Sequence, residues 1–174
     1  MSGDFYDALE TRSIDERETA LMAALSSQVA LAKGNTAYFG HLLADVDPEK
    51  ISSRSALADL PVTRKGDLLN IQKSAPPFGG MTTVTPNRLS RLYLSPGPIY
   101  DAEGPEPDPW RFARALHAAG FRKGEILHNC FSYHLTPAGM MVDSAARAIG
   151  CAIFPGGAGN TEMHVQAASD LKPS

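Results

Sequence analysis

The sequence predicts an α/β fold in which N-terminal helices precede βα repeats, building a small, mainly parallel sheet with helices packed on it. Three observations predict it. Helix caps and four-residue apolar spacing dominate the first part of the chain. From about residue 89 onward, short apolar runs alternate with helix-length segments. Two of those short runs, Ile126-Leu127 and Ala152-Ile153-Phe154, are almost continuously apolar, as strands covered on both faces are. The expected division is a helical segment, 1–74, and an α/β segment, 75–174, which together form one incomplete domain.

Each element has a local cause. Ser13-Ile14-Asp15-Glu16 is a capping box, in which a Ser hydroxyl and a Glu carboxylate each satisfy a free backbone N–H at a helix start. Leu21, Leu25 and Val29 follow at four-residue spacing, and Gly34-Asn35 ends the pattern. A second helix is expected over 36–44, presenting Phe39 and Leu43, before Asp47-Pro48 breaks it. Thr63 is the expected cap of a third helix that runs to about residue 72. Residues 75–85 have no period and are punctuated by Pro and Gly, which predicts a loop.

Beyond that loop the expected order is a strand over 89–95, a Pro/Gly-rich loop, and a helix over 109–118. A strand over 125–131, a helix over 137–149, a strand over 151–154 and a helix over 161–171 follow. Asp108-Pro109 and Thr136-Pro137 each place a capping side chain before a proline at the first helical position, where a missing N–H costs nothing. Gly120 and Gly150 stand just past helix ends. Parallel strands with helical crossovers would gather the loops 95–108, 132–136 and 155–160 on the carboxyl edge of one sheet, the edge that binds ligands in open α/β folds. Three such strands leave open sheet edges, so the chain reads as the front of something longer.

Composition excludes several classes. Of 174 residues, 43% are hydrophobic and 20% charged, which fits neither a disordered chain nor a membrane protein. Sixteen Lys and Arg against nineteen Asp and Glu give a net charge of -3, so no nucleic-acid partner is expected. No run approaches the roughly 18 apolar residues of a membrane span. The start is acidic and lacks the apolar core of an export signal, which makes the cytoplasm the expected location. Cys130 and Cys151 have no metal-ligand spacing and make no disulfide framework.

Three segments carry chemistry. Ser95-Pro-Gly-Pro-Ile-Tyr100 follows a strand, where backbone N–H groups could cradle a phosphate, with Ser95 and Gly97 as the positions suited to it. Pro96 and Pro98 lack N–H groups, so a rigid turn is the competing reading. Pro155-Gly-Gly-Ala-Gly-Asn160 is a tight turn between strand and helix, and Gly156 and Gly157 are its candidate ligand-facing positions; Glu162 where a third glycine would stand argues against dinucleotide binding. In His128-Asn-Cys-Phe-Ser-Tyr-His134, strand alternation puts His128 and Cys130 on one face. No metal site is expected from so few ligands; Phe131 and Tyr133 are candidate flat walls of a substrate pocket, with plain packing as the alternative. No nucleophile pairs with a base, so no catalytic residue is assigned. The acidic stretch 101–108 reads as a solvated loop.

Together Leu60-Pro-Val-Thr-Arg-Lys-Gly-Asp-Leu, Pro77-Phe-Gly-Gly, the Ser95-Pro-Gly-Pro loop after Arg91-Leu-Tyr-Leu, and Gly150-Cys-Ala-Ile-Phe-Pro-Gly-Gly with Asn160-Thr-Glu and Gln166 carry a resemblance. The chain resembles the N-terminal part of the phenylacetate-CoA ligase family, within the adenylate-forming enzymes. That resemblance implies the front of an adenylate-forming large domain. It implies an enzyme that uses ATP and magnesium to turn a small-molecule carboxylic acid into an acyl-adenylate, then passes the acyl group to coenzyme A. Tyr133 corresponds to an aromatic residue at the aryl-acid pocket, with Phe131 near it; Ser95 and Gly97 stand in the family's phosphate loop, where Pro96, Pro98, Ile99 and Tyr100 depart from its hydroxyl and glycine pattern. The fragment alone is expected to be inactive, and homodimerisation is left open. A second expectation keeps the fold without the catalysis: a degenerate acid- or coenzyme A-binding module that acts as a partner or regulator.

Overall fold

The computed structural model describes residues 4–174; the head of the acidic N-terminal segment, 1–3, lies outside the described residues. Two compact units form, one from 12–89 with 97–102, the other from residues up to 11 with 90–96 and 103–174.

The first unit is helical. α1 (Ile14–Asn35) starts at the capping box: Glu16 N–H donates to Ser13 Oγ at 3.2 Å and Ser13 N–H to the Glu16 carboxylate at 2.8 Å. Thr36 caps α2 (Ala37–Leu42) by accepting from Phe39 N–H at 3.1 Å. Val29, Leu43 and Ile51 make a small core, with Leu25, Phe39 and Leu60 packed on it. Leu21, the first member of the expected stripe, is exposed. A short helix, α3 (Arg54–Ala58), appears where none is expected, because five residues are too few to show a period; Ser53 Oγ caps it. α4 (Lys65–Ser74) starts without a side-chain cap, since the Thr63 hydroxyl instead lies 3.3 Å from that of Tyr38.

The second unit holds the βα repeat and opens with β1 (Arg91–Ser95). A strand absent from the sequence reading, β2 (Ile99–Glu103), follows in the chain; its residues 99–102 belong to the first unit. Then come α5 (Ala113–Ala118), β3 (Ile126–His128), α6 (Ala138–Ile149), β4 (Ala152–Phe154) and α7 (Thr161–Leu171). β3 and β4 pair in parallel in the register Ile126 to Ala152, Leu127 to Ile153 and His128 to Phe154. α6 is the crossover between them, and it ends at Gly150, whose φ of 96° is the left-handed conformation that a helix C-terminus favours in glycine. Its buried stripe of Gly139, Val142, Ala145 and Ala146 meets Ala113, Leu116, Leu127 and Cys151 in the larger core.

Three expectations change. β1 lies in a two-stranded sheet separate from β3 and β4, so the parallel sheet has two strands rather than three. The link to β1 is through loops instead: Leu94 N–H donates to the Leu135 carbonyl at 2.9 Å. The helix expected from Pro109 begins only at Ala113, because the Asp108 carboxylate accepts from Phe112 N–H at 3.1 Å and Ala113 N–H at 2.9 Å. Finally, the acidic stretch 101–108 is not simply solvated, because Glu103 is 2% exposed. Its carboxylate accepts from Arg91, from the Tyr93 hydroxyl and from Trp110 Nε1 at 3.0 Å. Three donors thus share one buried carboxylate, which no local periodicity encodes.

Candidate functional site

The carboxyl ends of β3 and β4 meet two turns. The backbone continues the pairing beyond the strands: Asn129 N–H donates to the Phe154 carbonyl at 2.9 Å, and Gly157 N–H to the Asn129 carbonyl at 3.0 Å. This fixes residues 129–133 beside 155–157. Asn129 is 1% exposed. Its amide nitrogen donates to the Tyr133 hydroxyl at 2.7 Å and to the Gly139 carbonyl at 2.9 Å, while its amide oxygen accepts from Phe131 N–H at 3.1 Å. A buried amide is satisfied on both sides, as burial requires.

Tyr133 lines an open cleft of about 380 Å³ with Gly156 and Gly157, beside Ser132, His134 and Pro155. Burial pushes the Tyr133 phenol above its ordinary value, and the Asn129 bond offsets only part of that push. The phenol is therefore neutral at physiological pH, and the wall it forms carries no charge.

Phe131 is placed elsewhere. It is 58% exposed and borders a separate apolar cavity of about 360 Å³ with Phe112, Leu116, Phe121 and Val142. The structure thus groups Tyr133 with the glycine turn and leaves Phe131 outside that cleft. Ser95 ends β1, and Gly97 lies two residues on, in the turn before β2. Flanked by Pro96 and Pro98, that turn has lost two of the N–H donors a phosphate cradle uses.

Sequence reasoning misses two features here. Asn129 reads as a polar strand residue, and nothing local announces that the Gly139 carbonyl of α6 joins Phe131 and Tyr133 in holding it. His164, on α7, approaches His128 with Nδ1 2.7 Å from Nε2, and the rings stack with 2° between their planes. The available signal is the His128-x-Cys130 spacing on one strand face, which asks what faces it. Cys151 is unlike Cys130: it is buried, its Sγ donates to the Arg122 carbonyl at 3.2 Å, and burial pushes its thiol up, with Glu125 adding to the effect.

No protein-family profile matches the chain. Individual relatives do. Over 176 residues it is 28% identical to the phenylacetate-coenzyme A ligase of Aromatoleum evansii, covering 96% of this chain and 39% of that protein. The same-named enzyme of Thermus thermophilus is 29% identical over 178 residues, covering 97% of this chain and 39% of its own. Along nearly its whole length the chain is similar to phenylacetate-CoA ligases. It spans about two fifths of their length and corresponds to their N-terminal part. Solved ligases share the fold: 2-hydroxyisobutyryl-CoA ligase in the postadenylation state with 2-HIB-AMP superposes with a TM-score of 0.84 at 22% identity, over 92% of this chain and 36% of that one. The same enzyme with 2-HIB-AMP and CoA gives 0.84 at 22% identity, over 94% and 37%. The expected α/β architecture is therefore the observed one, and it is shared with the first third or so of the solved ligases' length.

Among the described residues, no helix is long and apolar enough to cross a membrane.

Proposed function

We propose that this chain is the front portion of an acid–thiol ligase that activates a carboxylic acid with ATP and magnesium and transfers it to coenzyme A. The observation that carries the reading is similarity to phenylacetate-CoA ligases along nearly the whole chain, joined to the fold of a solved CoA ligase. In the first step the acid's carboxylate oxygen attacks the α-phosphorus of ATP and pyrophosphate leaves. The coenzyme A thiolate then attacks the acyl carbon and AMP leaves. A carboxylate is a poor acyl donor because its leaving group would be oxide, whereas AMP leaves readily; the protein positions the reactants and stabilises charge.

Within that reaction, Tyr133 with Gly156 and Gly157 supplies one wall for the acid's flat, apolar part. Phe131 flanks it from the neighbouring cavity. The turn that holds Ser95 and Gly97 fits a nucleotide phosphate poorly, because Pro96 and Pro98 cannot donate, so no step is assigned to it. The 174-residue chain alone is inactive on this reading, and the complete protein acts in the cytoplasm.

The test uses the complete protein that carries this chain. Incubated with ATP, magnesium, coenzyme A and a panel of aryl and alkyl acids, it releases AMP and pyrophosphate and forms an acyl-CoA with at least one acid. Absence of both products across the panel overturns the reading. The two prolines favour one competing reading, an acid- or coenzyme A-binding module without turnover. Saturable binding of acid or coenzyme A, with no pyrophosphate released, would establish that reading.

A further inference from the structure

We propose that His128, Cys130 and His164 form a site for a divalent transition-metal ion of the zinc class, with a fourth position left for water or another ligand. The site is independent of the ligase reading and uses none of the residues assigned to it except the Gly156 turn. One ligand atom from each side chain lies within 4.8 Å of the others. His128 Nε2 and His164 Nδ1 are 2.7 Å apart, and Cys130 Sγ is 3.8 Å from His164 Nδ1. In a tetrahedral zinc site, bond lengths of about 2.0–2.3 Å set ligand atoms about 3.3–3.6 Å apart. The sulfur is already near that separation from His164 Nδ1 and lies within 4.8 Å of His128 Nε2. The two nitrogens stand at hydrogen-bond distance, and a metal takes the place of that bond once they part by about 0.6 Å.

The donor set selects the ion. Two imidazole nitrogens and one thiolate suit zinc and its neighbours, whereas magnesium and calcium require oxygen ligands that this cluster lacks. The site is therefore chemically distinct from any magnesium that accompanies a nucleotide. Cys130 is exposed, which leaves the metal reachable from solvent.

The surroundings are built to let the ligands meet. His128 closes β3, with its backbone registered against Phe154, and the Phe154 ring stands edge-on to the imidazole at 4.9 Å and 84°. His164 sits in the first turn of α7, an element that returns from the adjacent strand. Between them lies Gly156: a Cβ there would stand 2.4 Å from His164 Cε1 and 3.0 Å from His128 Nε2. Only a residue without a side chain leaves room for both rings. The same turn lines the Tyr133 cleft, so a bound metal would stiffen that wall.

Titration of the full chain with cobalt(II) in place of zinc tests the site. One equivalent should bind with a sulfur-to-cobalt charge-transfer band and the visible bands of a tetrahedral ion. C130S should abolish the charge-transfer band, and H164Q and G156A should each weaken binding roughly tenfold or more, with circular dichroism confirming that each variant is folded. Alkylation supplies a second readout: zinc should protect Cys130 from iodoacetamide, magnesium should not, and buried Cys151 serves as the internal control. A cobalt spectrum without a sulfur band, a band that survives C130S, or equal alkylation with and without zinc would overturn the proposal.

Discussion

Two polar clusters in the βα unit solve opposite problems. Around Glu103, every oxygen of a buried carboxylate is engaged by Arg91, Tyr93 or Trp110. Around His128, the donors face one another at a surface that includes an exposed thiol. That engagement makes the first cluster a structural lock, because both oxygens are already held by donors within the fold. Incompleteness makes the second a site, because its ligand atoms converge with one position to spare. Proximity of polar groups is thus common to both; what separates lock from site is whether the groups satisfy each other.

The sharpest way to break this contrast is to remove the charge at the centre of the lock. Glu103→Ala should cost about 3–5 kcal/mol in urea unfolding, since the Tyr93 hydroxyl is left buried, and the Trp110 N–H half-buried, without that partner. A cost below about 1 kcal/mol would show that the network is ornamental. Asn129→Ala should cost about 1–3 kcal/mol by thermal denaturation, because the Gly139 carbonyl and the Tyr133 hydroxyl lose a buried donor.

Acid gives a third handle. Burial pushes the Glu103 carboxyl up, but the bonds from Tyr93, Trp110 and Arg91 outweigh burial and hold it below the ordinary carboxylate value. A carboxyl lowered in the folded state stabilises fully above its unfolded value of about 4.3, and that contribution drains away as pH falls through the lowered folded value. Stability measured from neutral pH downward should therefore drop below about pH 4, and Glu103→Gln should flatten that drop. The smallest effect sharpens the comparison from the other side: Cys130→Ser should change stability without metal by less than about 0.5 kcal/mol, measured by urea unfolding, while removing the cobalt–sulfur band.

Legibility in the sequence follows the range of the interaction. The capping box at Ser13 and Glu16 and the left-handed turn at Gly150 involve neighbours in the chain, and both stand as read. The parallel pair around α6 is legible for the same reason, since crossover and apolar strands lie within a single stretch; the Thr136 cap expected before Pro137 does not form, because α6 begins at Ala138 with Pro137 at its N-cap and no side-chain capping bond. β2 is hidden because Pro96 and Pro98 suggest an irregular loop, while its backbone at Tyr100 is held by Gln72: Tyr100 N–H donates to Gln72 at 2.8 Å, and the Gln72 amide donates to the Tyr100 carbonyl at 2.9 Å. Glu103 is misjudged as solvated because its partners Arg91 and Tyr93 lie on another strand. His164 meets His128 across 36 positions, a distance over which pattern says nothing. The aromatic pair Phe131 and Tyr133 is found from composition, but only coordinates divide it between two cavities.

Asn129 ties together three pieces of the chain: the backbone just past a strand, the Tyr133 ring four residues on, and the first turn of the helix behind it. It behaves as a rivet. A molecule that pressed against the ring of Tyr133 would load that rivet and tug on α6, so crowding at the cleft would be felt in the hydrophobic interior rather than absorbed by a soft loop.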